Sequence, residues 1–308
     1  SRPWVGNSTT GKLVMLLHYF EAMRQRVQQG DRLATTVSWH RLSARPIEWT
    51  ASQQPLAQVT VADLGATMDG AKEALRVDFA SKFLGGGVLG SGAVQEEIMF
   101  AASPELIVGR LLNTMLHAHE AVLMMGTEQF SIPKGYSGSL AYGGPYRDTT
   151  VVKGGMRQSY IVALDAVDYT RHPQGKDAQF TPLEVRRELT KAWAGLNVSH
   201  VEHPVPREVA TGNWGCGVFG GDVALKSMIQ LVACSESGRA MRYFPWSDRR
   251  VKAHLPLIIG ALHSQRVTVG QLASFLLQNV QPGDVYQQLN NHFGLNLDLL
   301  PPSLPASR

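Results

Sequence analysis

The sequence predicts an α/β fold, in which helices pack on a β-sheet. Stretches rich in β-branched and aromatic residues alternate with stretches of helical periodicity along the middle of the chain, and this alternation is typical of α/β layers. A chain of 308 residues is also long enough to bury a substantial core. Strands are predicted at 74–80, 120–126, 159–165, 207–211 and 240–245.

A helix is predicted near the start of the chain, over residues 12–29, with Gly30 at its end. Its apolar residues fall on one stripe, made of Leu13, Leu16, Leu17, Phe20 and Met23. Residues 32–42 are rich in β-formers and are consistent with a strand or an irregular packing segment. We interpret residues 1–60 as an accessory segment that docks on a main body formed by residues 61–308.

The helices of the main body follow residues that cap helix N-termini. Ser103 precedes a predicted helix over 104–118, Thr181 begins the capping box of the next one, and Asp222 starts a helix that runs to residue 238. Three further helices are predicted at 248–264, at 269–280 behind Thr268, and at 283–294. Residues 131–158 are predicted to be a long loop, and the last ten residues an extended tail.

Composition excludes several classes of protein. No stretch approaches the roughly 18 apolar residues of a membrane-spanning helix, and the first residues lack the apolar core of a signal peptide. Two cysteines, Cys216 and Cys234, cannot form a disulfide framework and fit a reducing compartment. The histidines lack the spacing of a metal site, and no GxSxG motif indicates a serine hydrolase. A net charge of +4 favours polyanions only mildly.

A glycine-rich stretch between a predicted strand and a helix has the strongest functional pattern. Glycines are dense over residues 85–92, and Gln95, Glu96 and Glu97 follow them. Glycines allow positive φ and let a ligand approach the backbone amides. A bare-backbone loop followed by two adjacent carboxylates suits an anionic, sugar-containing ligand that is also cleaved. Because adjacent residues on a helix point about 100° apart, one glutamate is expected to face the scissile sugar and the other to hold a hydroxyl or steady the loop. Without the glycines, this acidic pair would be interpreted as an ordinary helix start.

A second glycine-rich stretch, TGNWGCGVFGGD at 211–222, leads into the helix that Asp222 starts. Amide N–H groups in glycine turns before a helix bind anions. We therefore predict that residues 215–221 wrap a diphosphate, with Phe219 against it or against a ribose. Both stretches match GxGxxG, but both cannot be the first turn of one Rossmann unit, so a dehydrogenase is disfavoured. Cys216 is interpreted as a small packed residue rather than a nucleophile.

These motifs resemble the signature of the poly(ADP-ribose) glycohydrolases. GGG, seven residues and QEE occupy 85–97, and the second stretch is similar to the other hallmark of that family. The similarity extends through LHYF at 17–20, GTEQF at 126–130, ALDAVDY at 163–169 and RRELTKAW at 186–193. The resemblance implies a macrodomain-like, three-layer α/β/α fold with a mixed sheet, an N-terminal helical accessory segment and C-terminal helices.

The same resemblance implies an enzyme that cleaves the ribose–ribose O-glycosidic bonds of poly(ADP-ribose), free or on ADP-ribosylated proteins, and releases ADP-ribose. It further implies that the enzyme needs no cofactor or metal, does not bind membranes and is a monomer. It places the protein inside the cell, in the nucleus or the cytoplasm, and connects it with the response to DNA damage.

Roles for individual residues also follow from the resemblance. Glu97 would be the general acid/base, and Glu96 would contact ribose hydroxyls. Tyr136 and Trp246 would form aromatic walls around adenine, and Gln95 would reach adenine or the loop. For Asp78, positioning of the loop is an alternative to ligand contact. The full set of predicted substrate-binding residues is Gln95, Asp78, Ser81, Gly85, Gly86, Gly87, Tyr136, Asn213, Gly215, Cys216, Gly217, Val218, Phe219, Gly220 and Trp246.

Three positions depart from the family pattern. Ser81 replaces an asparagine, Trp246 replaces a phenylalanine and Met68 replaces an acid, so affinity rather than the reaction is expected to change. Two other functions remain open, namely an ADP-ribose reader without turnover and a hydrolase of single protein-linked ADP-ribose units. Nucleic-acid binding is a more distant alternative.

Overall fold

The computed structural model describes residues 8–30 and 35–299. The helices are α1 (Ser8–Gln28), α2 (Gln95–Ala102), α3 (Gly109–Leu112), α4 (Pro182–Leu196), α5 (Val223–Glu236), α6 (Arg249–Ser264), α7 (Val269–Gln278) and α8 (Val285–Phe293). The strands are β1 (Ser38–Ser43), β2 (Val59–Val61), β3 (Leu75–Ala80), β4 (Glu120–Met125), β5 (Ser131–Lys134), β6 (Ala141–Pro145), β7 (Val152–Lys153), β8 (Met156–Arg157), β9 (Tyr160–Asp165), β10 (Glu208–Gly212) and β11 (Ala240–Phe244).

Seven strands form one mixed sheet, in the order β1-β4-β9-β3-β10-β11-β2. β4 pairs antiparallel with β9, whereas β10 pairs parallel with both β3 and β11. Parallel strands need helical crossovers, and the helices between them supply these. The α/β fold predicted from the sequence is therefore confirmed, and its five predicted strands are all present.

By density of internal contacts, the chain divides into two compact units. Unit 1 consists of the described residues up to Arg41, Asp78–His117 and Val122–Asp165. Unit 2 consists of Leu42–Val77, Ala118–Ala121 and the described residues from Ala166 onward. The predicted domain boundary at residue 60 stays a prediction.

The core of unit 1 surrounds the first glycine-rich stretch. Its buried apolar side chains come from α1, β3, α2, β4, β9 and the stretch itself, and they include Met15, Ala80, Leu84, Val88, Ala93, Met99, Phe100, Val122 and Ile161. Because Leu84, Val88 and Ala93 are anchored in this core, the glycines between them hold a defined conformation at the start of α2.

Helix α1 is present as predicted, but it buries a different face from the apolar stripe. Gly11, Lys12 and Met15 are buried, whereas Leu13, Leu17 and Phe20 are more than half exposed. A Cβ on Gly11 would lie 2.9 Å from the Cα of Ala141, so this glycine lets α1 approach β6 closely. Close packing at Gly11, rather than apolar periodicity, decides the orientation of the helix.

In unit 2, the N-caps predicted from the sequence are formed. The Asp222 carboxylate accepts a hydrogen bond from the N–H of Leu225 at 2.8 Å, and Thr268 forms a capping box with Gln271. Thr181 also accepts from the N–H of Glu184, at 3.5 Å. Most of α5 is buried, which places the end of the second glycine-rich stretch on a fixed helix.

The predicted helix over 104–118 is wrong. The segment forms a 3-10 turn at Pro104–Val108 and a single α-helical turn, α3. The Asn113 side chain donates to the carbonyl oxygen of Gly109 at 3.0 Å. The N–H of Leu116 donates to the carbonyl oxygen of Lys82 at 2.8 Å. These bonds replace the helical ones, because a side-chain amide competes for backbone partners.

The predicted long loop over 131–158 is also wrong. It contains two small antiparallel hairpins, β5 with β6 and β7 with β8. The turns of these hairpins contain Gly135, Gly154 and Gly155, which have positive φ. Because these glycines interrupt the short runs of β-forming residues, the strands are hard to predict from the sequence. Of the predicted C-terminal tail, all but residue 299 lies outside the described residues. Over the described ranges, no helix is long and apolar enough to cross a membrane.

Candidate active site

The carboxylate of Glu97 is fixed by the backbone of the first glycine-rich stretch. Its Oε1 accepts a hydrogen bond from the N–H of Gly87, and its Oε2 accepts one from the N–H of Val94, both at 2.9 Å. Glu97 occupies the third position of α2, so the second bond also caps that helix. Strand β3, the glycines and α2 thus place one carboxylate at a defined point.

Glu96 faces a different part of the same stretch. Its two oxygens accept hydrogen bonds from the N–H groups of Ser81 at 2.8 Å and Gly85 at 2.6 Å. Burial raises the pKa of the Glu96 carboxyl well above its usual range, Asp78 adds to this, and the two N–H groups oppose it. Glu96 therefore steadies the loop, which is one of the two roles expected for the pair, and its contact with ribose stays a prediction.

Glycine is required in this stretch because the two carboxylates lie against it. Gly86 has a φ of +47°, and a Cβ there would clash with Glu97 Oε1 and lie 2.6 Å from Glu96 Oε2. A Cβ on Gly92 would lie 2.6 Å from Glu97 Oε1. The N–H groups of Gly85, Gly86 and Gly87 all have acceptors inside the protein. In contrast to the expectation from the sequence, these amides are not free for a ligand.

Asp78 interacts electrostatically with Glu96 and Glu97 and is completely buried. Neither of its carboxylate oxygens has a hydrogen-bond partner in the part of the chain that the structure describes. Burial raises the pKa of Asp78 well above its usual range, and the charge of Glu97 raises it further. An uncompensated buried charge is costly, so Asp78 is held as a neutral acid that packs beneath the loop, and it has no surface with which to contact a ligand.

Substituting Asp78 by Asn is expected to remove a pH-dependent loss of stability. In the wild type, the stabilising proton on Asp78 is fully present below the unfolded pKa of about 3.9 and is lost as pH rises through the raised folded pKa. Asn is neutral at every pH. The difference in free energy of unfolding between variant and wild type should therefore grow from pH 5 to pH 8, by up to about 1.4 kcal/mol per pH unit. Urea titrations across this range would measure it, and a constant difference would contradict the assignment.

Other residues predicted around Glu97 are brought together in unit 1. The Gln95 side chain accepts a hydrogen bond from the N–H of Phe79 at 2.8 Å, so it reaches the end of β3. The Ser81 hydroxyl accepts from the N–H of Phe83 at 3.3 Å. The Tyr136 side chain forms a hydrogen bond with the backbone of Gln95, at the start of α2, which lowers its pKa, whereas burial and then the charge of Glu97 raise that pKa. Tyr136 is also 45% exposed, so part of its ring is accessible to a ligand.

The second glycine-rich stretch, in unit 2, has free amides. Gly215 and Gly220 have positive φ and shape two turns, closed by bonds from Gly220 N–H to Gly217 and from Gly221 N–H to Gly215. Within the described residues, the consecutive N–H groups of Gly217, Val218 and Phe219 have no acceptor. Successive free N–H groups in a turn form an anion-binding concavity. We call residues 215–221 the anion loop.

The remaining predicted residues of unit 2 differ in whether their side chains are available to a ligand. The side-chain amide of Asn213 already has partners, since its oxygen accepts a hydrogen bond from the Tyr243 hydroxyl and its nitrogen donates one to the carbonyl oxygen of Pro245. Cys216 is a neutral thiol, because burial and the charges of Asp222 and Asp248 raise its pKa. Trp246 has a φ of +56° and is 48% exposed. Non-glycine residues in this region are strained, and such strain is concentrated at functional sites.

Sequence reasoning missed two lysines beside the anion loop. Lys226 is buried on α5, lies 3.4 Å over the Trp214 ring and forms an ion pair with Glu188. Glu188 on α4 and Lys226 on α5 are charged residues that lie among the apolar residues of their helices, and this pattern could have indicated the ion pair. Lys176 is exposed, and a Cβ built on Gly220 would lie 3.7 Å from its ammonium nitrogen. The charge of Lys226 is compensated by Glu188, so Lys176 is the lysine that adds positive charge beside the anion loop.

The sequence profile described as "Poly (ADP-ribose) glycohydrolase (PARG), Macro domain fold" matches residues 46–253, which is more than half of the chain. The chain belongs to the poly(ADP-ribose) glycohydrolase family. The resemblance inferred from the two glycine-rich stretches is thereby confirmed, and so is the macrodomain-like fold. Both stretches lie within the matched residues, whereas α1 lies before them.

Individual relatives in this family are similar over much of the chain. Probable poly(ADP-ribose) glycohydrolase 2 of Arabidopsis thaliana is 31% identical over 314 residues, which cover 87% of this chain and 59% of the relative. Poly(ADP-ribose) glycohydrolase 2 of Caenorhabditis elegans is 35% identical over 217 residues, with coverages of 66% and 43%. The chain thus spans about three-fifths or less of the length of these relatives. A crystal structure of a poly(ADP-ribose) glycohydrolase from Thermomonospora curvata has 16% identity and a TM-score of 0.45, covering 83% of this chain and 99% of that one.

Proposed function

We propose that the protein hydrolyses poly(ADP-ribose), cleaving ribose–ribose O-glycosidic bonds and releasing ADP-ribose. The observation that carries the proposal is the placement of Glu97. Loop amides fix both of its oxygens, and glycines flank Oε1 where any side chain would collide with it. The family supports the substrate class, and the chemistry needs one well-placed carboxyl group.

In the proposed reaction, the Glu97 carboxylic acid donates its proton to the ribose oxygen of the leaving unit as the glycosidic C–O bond breaks. The resulting Glu97 carboxylate then takes a proton from a water molecule, whose oxygen bonds to the anomeric carbon. One water is consumed, and Glu97 regains its proton. Most glycosidases use two carboxylates that flank the bond. Here Glu96 holds the loop, so Glu97 serves in both steps, and the diphosphate of the substrate would help to stabilise an oxocarbenium-like transition state.

Substrate binding is assigned mainly to unit 2. The free amides of Gly217, Val218 and Phe219 would donate to the diphosphate, and the exposed ring of Trp246 in the same unit would stack on adenine. The protein would act without cofactor or metal, as a monomer, in the nucleus or cytoplasm.

The direct test is incubation of the purified chain with protein-free poly(ADP-ribose), followed by chromatography of free ADP-ribose. We expect rapid release that EDTA does not reduce. Protein carrying single ADP-ribose units, assayed in parallel, should remain modified. Saturable ADP-ribose binding without release from polymer would instead identify a reader, and release only from the singly modified protein would identify a mono-ADP-ribose hydrolase.

A further inference from the structure

Helix α1 reaches into the first glycine-rich stretch through one buried lysine. Lys12 is 2% exposed, although it carries a charge. Its ammonium group donates hydrogen bonds to the carbonyl oxygens of Gly90 at 2.7 Å and Gly87 at 3.2 Å, and to that of Gly92. An ammonium group has three N–H donors, so all three are used on this stretch.

We infer that Lys12 is a positioning residue for Glu97, and that α1 supports the catalytic stretch through this one side chain. The inference rests on the proposed function, since it concerns the general acid/base of that reaction. Lys12 has no direct contact with the reacting atoms in this assignment. It acts by fixing the backbone against which the Glu97 carboxylate is held.

The same peptide groups connect Lys12 with Glu97. Gly87 donates its N–H to Glu97 Oε1 and accepts from Lys12 at its carbonyl oxygen. Gly92 also accepts from Lys12, and the space where its Cβ would be is occupied by Glu97 Oε1. Without Lys12, three carbonyl groups would turn toward other donors, and Gly87 and Gly92 would carry Glu97 with them.

The charge of Lys12 is costly to bury, which argues for a specific purpose. Burial lowers the pKa of Lys12, whereas the negative charge of Glu97 raises it. A carbonyl cluster from three glycines without side chains is a suitable acceptor for a compact ammonium group. The matched family profile begins at residue 46, so neither Lys12 nor any other residue of α1 belongs to the part of the chain that defines the family match.

A matched pair of variants tests the inference in the full chain. Lys12→Met removes the three donors and keeps the apolar stem. Arg26→Met, near the other end of α1, removes a side chain that donates to the Glu128 carboxylate at 2.9 and 2.6 Å. Both variants break a charged contact between α1 and the rest of unit 1, but of the two residues only Lys12 contacts the glycine-rich stretch.

For Lys12→Met, we expect kcat for ADP-ribose release to fall about 10- to 100-fold, because small misplacements of a catalytic group have effects of this size. The Kd for ADP-ribose, measured by calorimetry, should change less than about threefold, since the anion loop is untouched. Both variants should lower the thermal midpoint of unfolding, but Arg26→Met should keep kcat within about twofold of the wild type. Assays are run below both midpoints.

Two results would overturn the inference. One is a kcat of Lys12→Met within about twofold of the wild type, and the other is an equal loss of kcat in both variants, which would show that Lys12 only stabilises the fold. Wild-type protein assayed in parallel separates this failure from that of the proposed function. If the wild type releases no ADP-ribose, the function is wrong, whereas an active wild type with an equally active Lys12→Met variant contradicts only the role of Lys12.

Discussion

Replacing Glu97 by Gln is expected to reduce the rate of ADP-ribose release from poly(ADP-ribose) by about 10²–10⁴-fold, the range that a positioned acid/base contributes. A glutamine amide has the size of the carboxyl group but can neither donate an acidic proton nor accept one from water. It can also accept from only one of the two N–H groups, of Gly87 and Val94, that now bind Glu97. ADP-ribose binding should persist, because the free amides lie in the anion loop.

Glu96→Gln is the matched control for this variant. It too loses one of two loop hydrogen bonds, to Ser81 or Gly85, and it alters the neighbouring residue of the same helix. Because burial already raises the pKa of Glu96 and favours its neutral form, a neutral amide should be tolerated, with a loss of rate below about tenfold. If Glu97→Gln cuts polymer as fast as the wild type, Glu97 is not the acid. If both variants are equally inactive, Glu96 takes part in the chemistry.

Replacing Gly86 by Ala should cause the second-largest loss of activity. Gly86 has a φ of +47°, which costs a residue with a Cβ about 1–2 kcal/mol. The methyl group would also collide with Glu97 Oε1 and approach Glu96 Oε2 to 2.6 Å. The carboxylates must move, so we expect kcat to fall about 100-fold and the thermal midpoint to fall as well. Steady-state kinetics on polymer and a thermal melt measure the two effects.

Gly90→Ala provides the control within the same stretch. A Cβ on Gly90 would meet only the carbonyl oxygen of Gly87, at an ordinary 3.7 Å, and its φ is not positive. This variant should retain kcat within about threefold, since the glycine there leaves room for a methyl group. Equal losses in both alanine variants would show that the stretch needs flexibility everywhere, rather than space around the carboxylates.

Much of the site could be predicted from local sequence. Five glycines followed by Gln95, Glu96 and Glu97 predict the candidate catalytic stretch, and the 100° offset of adjacent helical residues predicts that the two glutamates have different partners. Asp222 and Thr268 follow rules that involve only residues three positions apart. These features depend on neighbours in the chain, so the sequence contains all of their determinants.

Other features depend on residues far apart in the chain. Lys12 falls in an amphipathic helix, where a lysine is expected on the solvent side, and only the carbonyls of residues 87, 90 and 92 explain its burial. The predicted helix over 104–118 fails because Leu116 bonds to Lys82 instead of to its own turn. The expectation of ligand-binding amides at 85–87 also fails, since the carboxylates of Glu96 and Glu97 occupy those of Gly85 and Gly87 and the Phe83 carbonyl occupies that of Gly86.

The two glycine-rich stretches have opposite relations to negative charge. In the first, the amides of Gly85 and Gly87 bind glutamates that belong to the protein, whereas the anion loop leaves three amides for a charge that must arrive from outside. Mutations in the anion loop can therefore change which phosphorylated molecules are captured, and how fast product leaves, while the proton-transfer apparatus stays assembled. Under the proposed function, recognition and chemistry would thus be open to change as separate properties.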